Sequence, residues 1–355
     1  MEIKEYYDNP AISQSRLKIL LGEPSYFNVP EEQTLYFQEK EHFTIGSAVD
    51  CILTQGEKVF EDFYHVSSVE NKPSDTIKSI LHQVFDSVKT LFGENVGNIT
   101  NYADIVLRCC NEHKYQSNWG DSTRINKICE SWEYWEDLKK SQNKTVLSLE
   151  EYAIVTKVVQ SLQENIHTSK YFSEEGNVEI LNQLPIYFKY EDIDCKALLD
   201  RVIINHDNKT IQPIDIKTTG ESTFYFHKKI KKFGYYIQAS WYTEALKHWV
   251  SDKKFSGYRI LPFKFIVEST SNVGTPLIYT CSENLLKIGK EGRSAINLIG
   301  VTEEYEVSNI TYEAIKGFDE LIALYKYYLE NGFEVHKKIK ENNSELIVDW
   351  EGIIN

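Results

Sequence analysis

Cys195-Lys196-Ala197-Leu198-Leu199-Asp200-Arg201-Val202-Ile203-Ile204-Asn205-His206-Asp207-Asn208-Lys209-Thr210-Ile211-Gln212-Pro213-Ile214-Asp215-Ile216-Lys217-Thr218-Thr219 is the stretch whose reading decides the fold. Two apolar runs, Ala197 to Leu199 and Val202 to Ile204, end at the polar segment His206 to Lys209, and an apolar alternation resumes from Ile211 to Ile216. That pattern predicts a hairpin of two short strands. Asp200 falls within the first. Asp215 and Lys217 stand two apart on the second, so the period-2 geometry of a strand points both from one face. Two carboxylates and a lysine are expected at one edge.

Charge on a half-buried strand is costly unless a partner compensates it. A divalent cation is the simplest compensation, because Mg²⁺ takes oxygen ligands and keeps several waters. Asp200, Asp215, the Ile216 carbonyl and a substrate phosphate make such a donor set. Lys217 would orient or deprotonate the attacking water, or neutralise charge on the transition state. Phosphodiester hydrolysis is the chemistry these residues suit.

Asp200 followed by Asp215-Ile216-Lys217 resembles the PD-(D/E)xK nuclease signature, an Asp followed by an acidic-x-Lys tripeptide on the neighbouring strand. Acid-x-Lys also occurs at Glu70 to Lys72, Asp137 to Lys139 and Asp194 to Lys196, where it reads as a solvated charge pair. Flanking strands, the upstream Asp200 and the Thr218-Thr219-Gly220 exit distinguish Asp215.

Three further blocks resemble RecE-type exonucleases. Ile12-Ser13-Gln14-Ser15-Arg16-Leu17-Lys18-Ile19-Leu20-Leu21-Gly22 is a capped helix, with Ser13 at its N-cap and Gly22 ending it. It is followed by the turn Glu23-Pro24-Ser25-Tyr26, as in that family. In Gly46-Ser47-Ala48-Val49-Asp50, Asp50 lies one helical turn beyond Gly46. The resemblance puts a metal-binding His there, and Asp50 departs from it while keeping an oxygen ligand that Mg²⁺ accepts. After the tripeptide, Gly234-Tyr235-Tyr236-Ile237-Gln238-Ala239-Ser240-Trp241-Tyr242 looks like the Gly-Tyr-x-x-Gln-x-x-x-Tyr helix of RecB-like and RecE-like nucleases. The family's Glu upstream of the first strand pair has its counterpart near Gln183, with Glu179 nearby.

Phe224 to Trp249 reads as a long amphipathic helix or helix pair. Lys228, Lys229, Lys231 and Lys232 open it as the densest basic cluster, and Tyr235, Gln238 and Tyr242 share a face beyond it. That arrangement suits a phosphate backbone. Strands are expected at Val178 to Leu184, Ile186 to Tyr190, Tyr258 to Glu268 and Leu277 to Cys281, with Pro262 at an edge or bulge. A last helix carries Ile315, Phe318, Ile322, Tyr325 and Leu329 and stops at Gly332. From about 70 to 170 the chain reads as mostly helical. Within it, Tyr115 to Trp135 interleaves Trp119, Trp132, Tyr134 and Trp135 with Lys114, Arg124 and Lys127, a pattern that more often packs a core than stacks on DNA.

The expected fold is thus α/β: a PD-(D/E)xK, restriction-endonuclease-like core with a mixed central sheet flanked by helices. Along its 355 residues the reading sets a mainly helical portion at 1–170, the core sheet with its motifs at 171–300, and a packing strand and helix at 301–355. A hydrophobic share of 41% is ample for a core. With 53 acidic against 39 basic residues, net −14, the chain does not coat nucleic acid nonspecifically, so any grip on DNA is local. Six cysteines lack zinc or iron-sulfur spacing, which argues for reduced thiols and no iron-sulfur cluster. No phosphate loop is present, so no ATP is expected. Met1 to Pro10 does not read as a signal peptide and no apolar run is long enough for a membrane span, so a cytoplasmic protein of a bacterial or phage-infected cell is expected.

What the resemblance implies is a Mg²⁺- or Mn²⁺-dependent, ATP-independent exonuclease of linear double-stranded DNA ends. It would leave single strands for a recombination partner such as a single-strand annealing protein. Asp50, Asp200 and Asp215 would hold metal, with the Ile216 carbonyl; Lys217 would act on the water. Gln238 with Tyr235 or Tyr242 would hold the strand near the cut, and Lys228, Lys231, Lys232 and Thr218 would contact it. Family members form rings, so a homo-oligomer is open. The competing expectations are a Cas4-like or RecB-like trimming nuclease of a larger complex, and a DNA-end-binding protein whose nuclease site has decayed.

Overall fold

A computed structural model describes residues 3–22, 24–28, 40–69, 73–141, 144–251, 253–294, 296–301, 307–312, 314–333, 348–349 and 352–353. Glu23 of the expected turn, and Glu70 to Lys72, lie outside them. The chain divides into two compact units, Gly56–Thr156 and the remainder, Met1–Gln55 with Lys157–Asn355. No described helix is long and apolar enough to cross a membrane.

The first helices are α1 (Ile3–Asp8), α2 (Gln14–Lys18) and α3 (Lys40–Gln55). Ser13 caps α2 as expected, its hydroxyl accepting from the Arg16 amide at 3.3 Å. The unit Gly56–Thr156 follows. It holds α4 (Glu57–Phe63), β1 (Tyr64–Ser67), α5 (Asp75–Phe92), α6 (Ala103–Glu112), α7 (Asp121–Cys129), α8 (Trp132–Ser141) and β2 (Thr145–Ser148), with β1 and β2 pairing in parallel. On α5 the residues Ile77, Ile80, Leu81, Val84, Phe85 and Val88 recur at helical spacing, and all are buried in this unit's own core. The aromatic-basic stretch is divided. Trp135 is buried and donates to the Gly97 carbonyl, and Arg124 is buried against Asn111 and Asp121, whereas Trp119 and Trp132 are exposed.

After α9 (Leu149–Glu164) come β3 (Val178–Tyr190), β4 (Ile193–Asn205) and β5 (Thr210–Thr219). Then follow α10 (Phe226–Lys232), α11 (Tyr235–Val250), β6 (Arg259–Ile260), β7 (Lys264–Ser269), β8 (Leu277–Thr280) and α12 (Glu283–Glu291). The hairpin β9 (Ile296–Val301) and β10 (Val307–Tyr312) leads to α13 (Phe318–Asn331), which Gly332 ends at a φ of 80°. The central sheet is mixed. Its order is β3-β4-β5-β7-β8, antiparallel except for the parallel pair β5 and β7, and β6 pairs with β5.

Three sequence expectations change. The two short strands of the hairpin are long ones, 13 and 10 residues, because Lys196 and Arg201 stay in the ladder despite their charge and β4 runs on through the unpaired Asp200. The two strands expected either side of Pro185 are one, β3. Of the long helix or helix pair expected at 224 to 249 the pair is found, broken where Gly234 adopts a left-handed φ of 64° that favours glycine. Tyr258 to Glu268 is likewise interrupted: Leu261, Pro262 and Phe263 separate β6 from β7, as a proline lacking its N–H requires.

The main core lies between the sheet and α11, α12 and α13, with Trp241 and Phe318 edge to face at 5.3 Å. It also reveals a slip in the sheet. Core-facing positions on β4 run Cys195, Ala197, Leu199 and then Val202, Ile204; on β3 they run Leu181 and then Leu184, Ile186, Phe188. Both strands thus lose their alternation at the same rungs, Asn182 with Arg201 and Gln183 with Asp200. Pairing resumes in unchanged register on either side, Asn182 opposite Arg201 and Leu184 opposite Leu199. Gln183 takes the left-handed φ of 47° that lets its strand turn.

Candidate active site

The slip places polar side chains where alternation would have buried apolar ones. β4 and β5 pair from Asn205 opposite Thr210 to Arg201 opposite Ile214 and stop there. Asp200 and Asp215 would form the next rung. The strands instead part, and the two carboxylates face each other across the opening. The Asp200 carboxylate accepts a long hydrogen bond from the Ile216 amide at 3.4 Å.

Asp215 is 1% exposed. Its Oδ1 accepts from Gln238 Nε2 on α11 at 2.6 Å, and its Oδ2 lies 2.7 Å from Lys217 Nζ, with no hydrogen-bond donor among the described residues aligned on it. The Lys217 ammonium stands 5.3 Å from the Tyr235 ring centre, a cation–π contact. Tyr242 is buried one turn beyond Gln238 and lines a cavity of about 660 Å³ with Asp50, Gln183, Asp200, Lys196 and Gln14. Burial, then the Asp200 and Asp215 charges, hold the Tyr242 hydroxyl well above its ordinary range.

Asp50 comes from α3. Gln183 Nε2 donates to Asp50 Oδ2 at 3.0 Å and to Thr54 Oγ1 at 3.1 Å, so the turn at Gln183 aims its amide at the helix. Asp50 Oδ1 is buried without a hydrogen-bond partner among the described residues. Two features hold α3 against the sheet. At Gly46 a Cβ would stand 2.8 Å from Thr218 Oγ1, so only glycine lets the helix come this close. Arg201, buried on β4, donates to the Leu53 carbonyl near the end of α3, to the Tyr171 carbonyl at 2.9 Å and to Asn182 Oδ1 at 2.9 Å. Burial pulls its pKa down to about 10 against the pull of Asp50 and Asp200.

Electrostatics mark this cluster as short of positive charge. Burial first, then the Asp215 and Asp50 charges, push Asp200 well above the carboxylate range. Asp50 is pushed up to about 6 by burial and by Asp215, against Lys217 and Arg201. Burial would lower Lys217, but Asp215 and Asp200 outweigh it and raise it. Among the described residues no three His, Cys, Asp or Glu side chains are grouped so that they could hold a metal ion together. Mg²⁺ does not need such a group, since it is commonly bound by one or two carboxylates with waters and substrate phosphate.

Asp50, Asp200, Asp215, Lys217, Tyr235, Gln238 and Tyr242 therefore converge. Lys228, Lys231 and Lys232 are exposed on α10, with Lys228 over Tyr225 and Lys232 over Phe233. Their neighbour Lys229 turns inward to Thr219 Oγ1 at 2.6 Å. Thr218 is half-buried against Gly46. Glu179 pairs with His206 at 3.3 Å, so of the two candidates only Gln183 reaches the cluster. Arg201 and Lys18 were missed: an Arg directly after Asp200 reads as a solvated strand charge, and Lys18 as the polar side of a capped helix.

No family model matches the chain, and no curated protein does. Among solved structures, the crystal structure of a "Putative exonuclease" from Eubacterium rectale is similar over 81% of this chain and 80% of that one, at 12% identity and a TM-score of 0.36. A likeness so loose carries no argument about chemistry, which rests on the side chains described above.

Proposed function

We propose that this chain is a divalent-cation-dependent deoxyribonuclease of the PD-(D/E)xK, RecE-like kind, acting without ATP on the ends of linear double-stranded DNA. One observation carries the reading: Asp200 and Asp215 oppose each other where β4 and β5 part, with Lys217 on the Asp215 side. Asp200, Asp215, the Ile216 carbonyl and Asp50 would hold Mg²⁺ or Mn²⁺. The donor set is all oxygen, and the unpartnered Asp50 Oδ1 fits such an ion. When bound, the cation supplies Lewis-acid polarisation of the phosphate and positive charge opposite the strand.

The chain's own groups do the rest. Gln238 fixes the Asp215 carboxylate through Oδ1, so the carboxylate cannot rotate away from Asp200. Lys217, raised by its carboxylate neighbours, is an ammonium at neutral pH. It therefore orients water and offsets charge building on the phosphate rather than removing a proton. The Tyr242 hydroxyl stays protonated beside Asp200 and can donate to the strand. Lys228, Lys231, Lys232 and Thr218 are the proposed backbone contacts beyond the cut. The freed single strand would pass to an annealing partner.

The test is digestion of a linear duplex beside a closed circle of the same sequence, with Mg²⁺ and no ATP, by the wild type and Lys217→Ala. Loss of the linear DNA alone, by the wild type alone, is expected. The rate should fall at least about a hundredfold in the variant, as when one transition-state charge partner is removed. If neither DNA is cut but ends are bound, the chain is an end-binding protein, a reading motivated by Asp50 and Gln183 standing where the family has His and Glu.

A further inference from the structure

Lys18 is the last residue of α2, and nothing in its sequence context separates it from a solvated helix end. Its side chain crosses Gly234, where a Cβ would stand 2.9 Å from Lys18 Cδ. Its ammonium reaches the Phe233 carbonyl at 3.3 Å. Phe233 ends α10, the helix carrying Lys228, Lys229, Lys231 and Lys232, and Tyr235 opens α11 beneath Lys217. Lys18 therefore occupies the gap between the basic helix and the lysine at the carboxylates.

We propose that Lys18 is a DNA-phosphate contact of this site, its ammonium holding a phosphodiester of the strand that crosses Lys217. The inference rests on the nuclease reading above and adds a residue to it. Among the described residues no carboxylate forms an ion pair with Lys18, and its hydrogen bond is to a neutral carbonyl. Burial, and then the Lys217 charge, lower Lys18 to about 8 against the pull of Asp215.

The experiment measures binding of a fluorescein-labelled linear duplex in EDTA, so that nothing is cut, across a salt series, for the wild type, Lys18→Met, Lys18→Gln and Lys18→Arg. Removing one lysine–phosphate interaction lowers the slope of log K against log salt by about 0.9. Lys18→Met is expected to lose that increment and to bind about tenfold more weakly at low salt, while Lys18→Arg keeps the slope. Thermal unfolding of all the variants checks that the fold is retained, and Lys18→Gln, which also removes the charge and should lose the same increment of slope, carries the test should Lys18→Met not fold. A Lys18→Met slope equal to the wild type's, or an arginine variant that loses the increment, overturns the proposal. A wild type that cuts linear DNA beside an unchanged Lys18→Met slope overturns this inference alone; a wild type that neither binds nor cuts overturns it together with the nuclease reading.

Discussion

Asp50→Asn should stabilise the metal-free protein at neutral pH. The Asp50 carboxyl ionises near 3.8 in the ordinary case and is pushed up to about 6 in the fold, by burial and then by the Asp215 charge. Keeping it ionised in the fold therefore costs about 3 kcal/mol relative to the unfolded chain. The sign follows from the direction of the shift. A raised carboxyl carries no penalty below its unfolded pKa, accumulates one as pH rises through the folded value, and carries the whole of it above. Asparagine still accepts from Gln183 and presents an N–H donor much as the protonated acid presents its O–H, so the two should be alike at low pH. At pH 7.5 in EDTA the variant should unfold about 6 °C higher, at about 2 °C per kcal/mol for a unit of this size. At pH 5 about half of the gain should remain. Thermal unfolding at the two pH values, with and without Mg²⁺, is the assay. Mg²⁺ should raise the wild type more than the variant, because Asp50 is a proposed ligand. A variant no more stable than the wild type at pH 7.5 in EDTA, or a difference independent of pH, would refute the account of Asp50 as a carboxylate short of a cation.

Arg201→Met should cost about 3 kcal/mol in urea denaturation, since it strips donors from the Leu53 and Tyr171 carbonyls and from Asn182 while relieving one buried charge; an unchanged midpoint would show that Arg201 does not hold α3. Gly46→Ala should slow digestion of linear DNA at least about tenfold, because moving α3 off Thr218 carries Asp50 with it, and misplacement of about 1 Å is costly in catalysis. Thr218→Ala in the same chain should recover most of that loss, and no recovery would mean that the close approach does not position Asp50.

Local physics made much of the chain legible. Ser13 caps its helix, Gly332 ends the last one, and Pro262 breaks a strand, because each effect acts within one turn or one rung. The pairing of Asp215 with Lys217 on one side of β5 follows from period 2 alone. So does the shared face of Tyr235, Gln238 and Tyr242 from helical spacing. The extent of the helical unit Gly56–Thr156 has no comparable mark, because the chain leaves and re-enters at Gln55 and Lys157 without a proline-rich or glycine-rich linker.

What sequence alone determined about this protein, then, is the set of charged groups and the elements that carry them. Tertiary structure decided which of those groups meet. The slip at Gln183 and Asp200 depends on two strands turning together, and no single strand's alternation announces it. Arg201 and Lys18 act through carbonyls of Leu53 and Phe233, remote in sequence. Backbone carbonyls are the same at every residue, so only the folded chain shows which of them lies within reach of a charge.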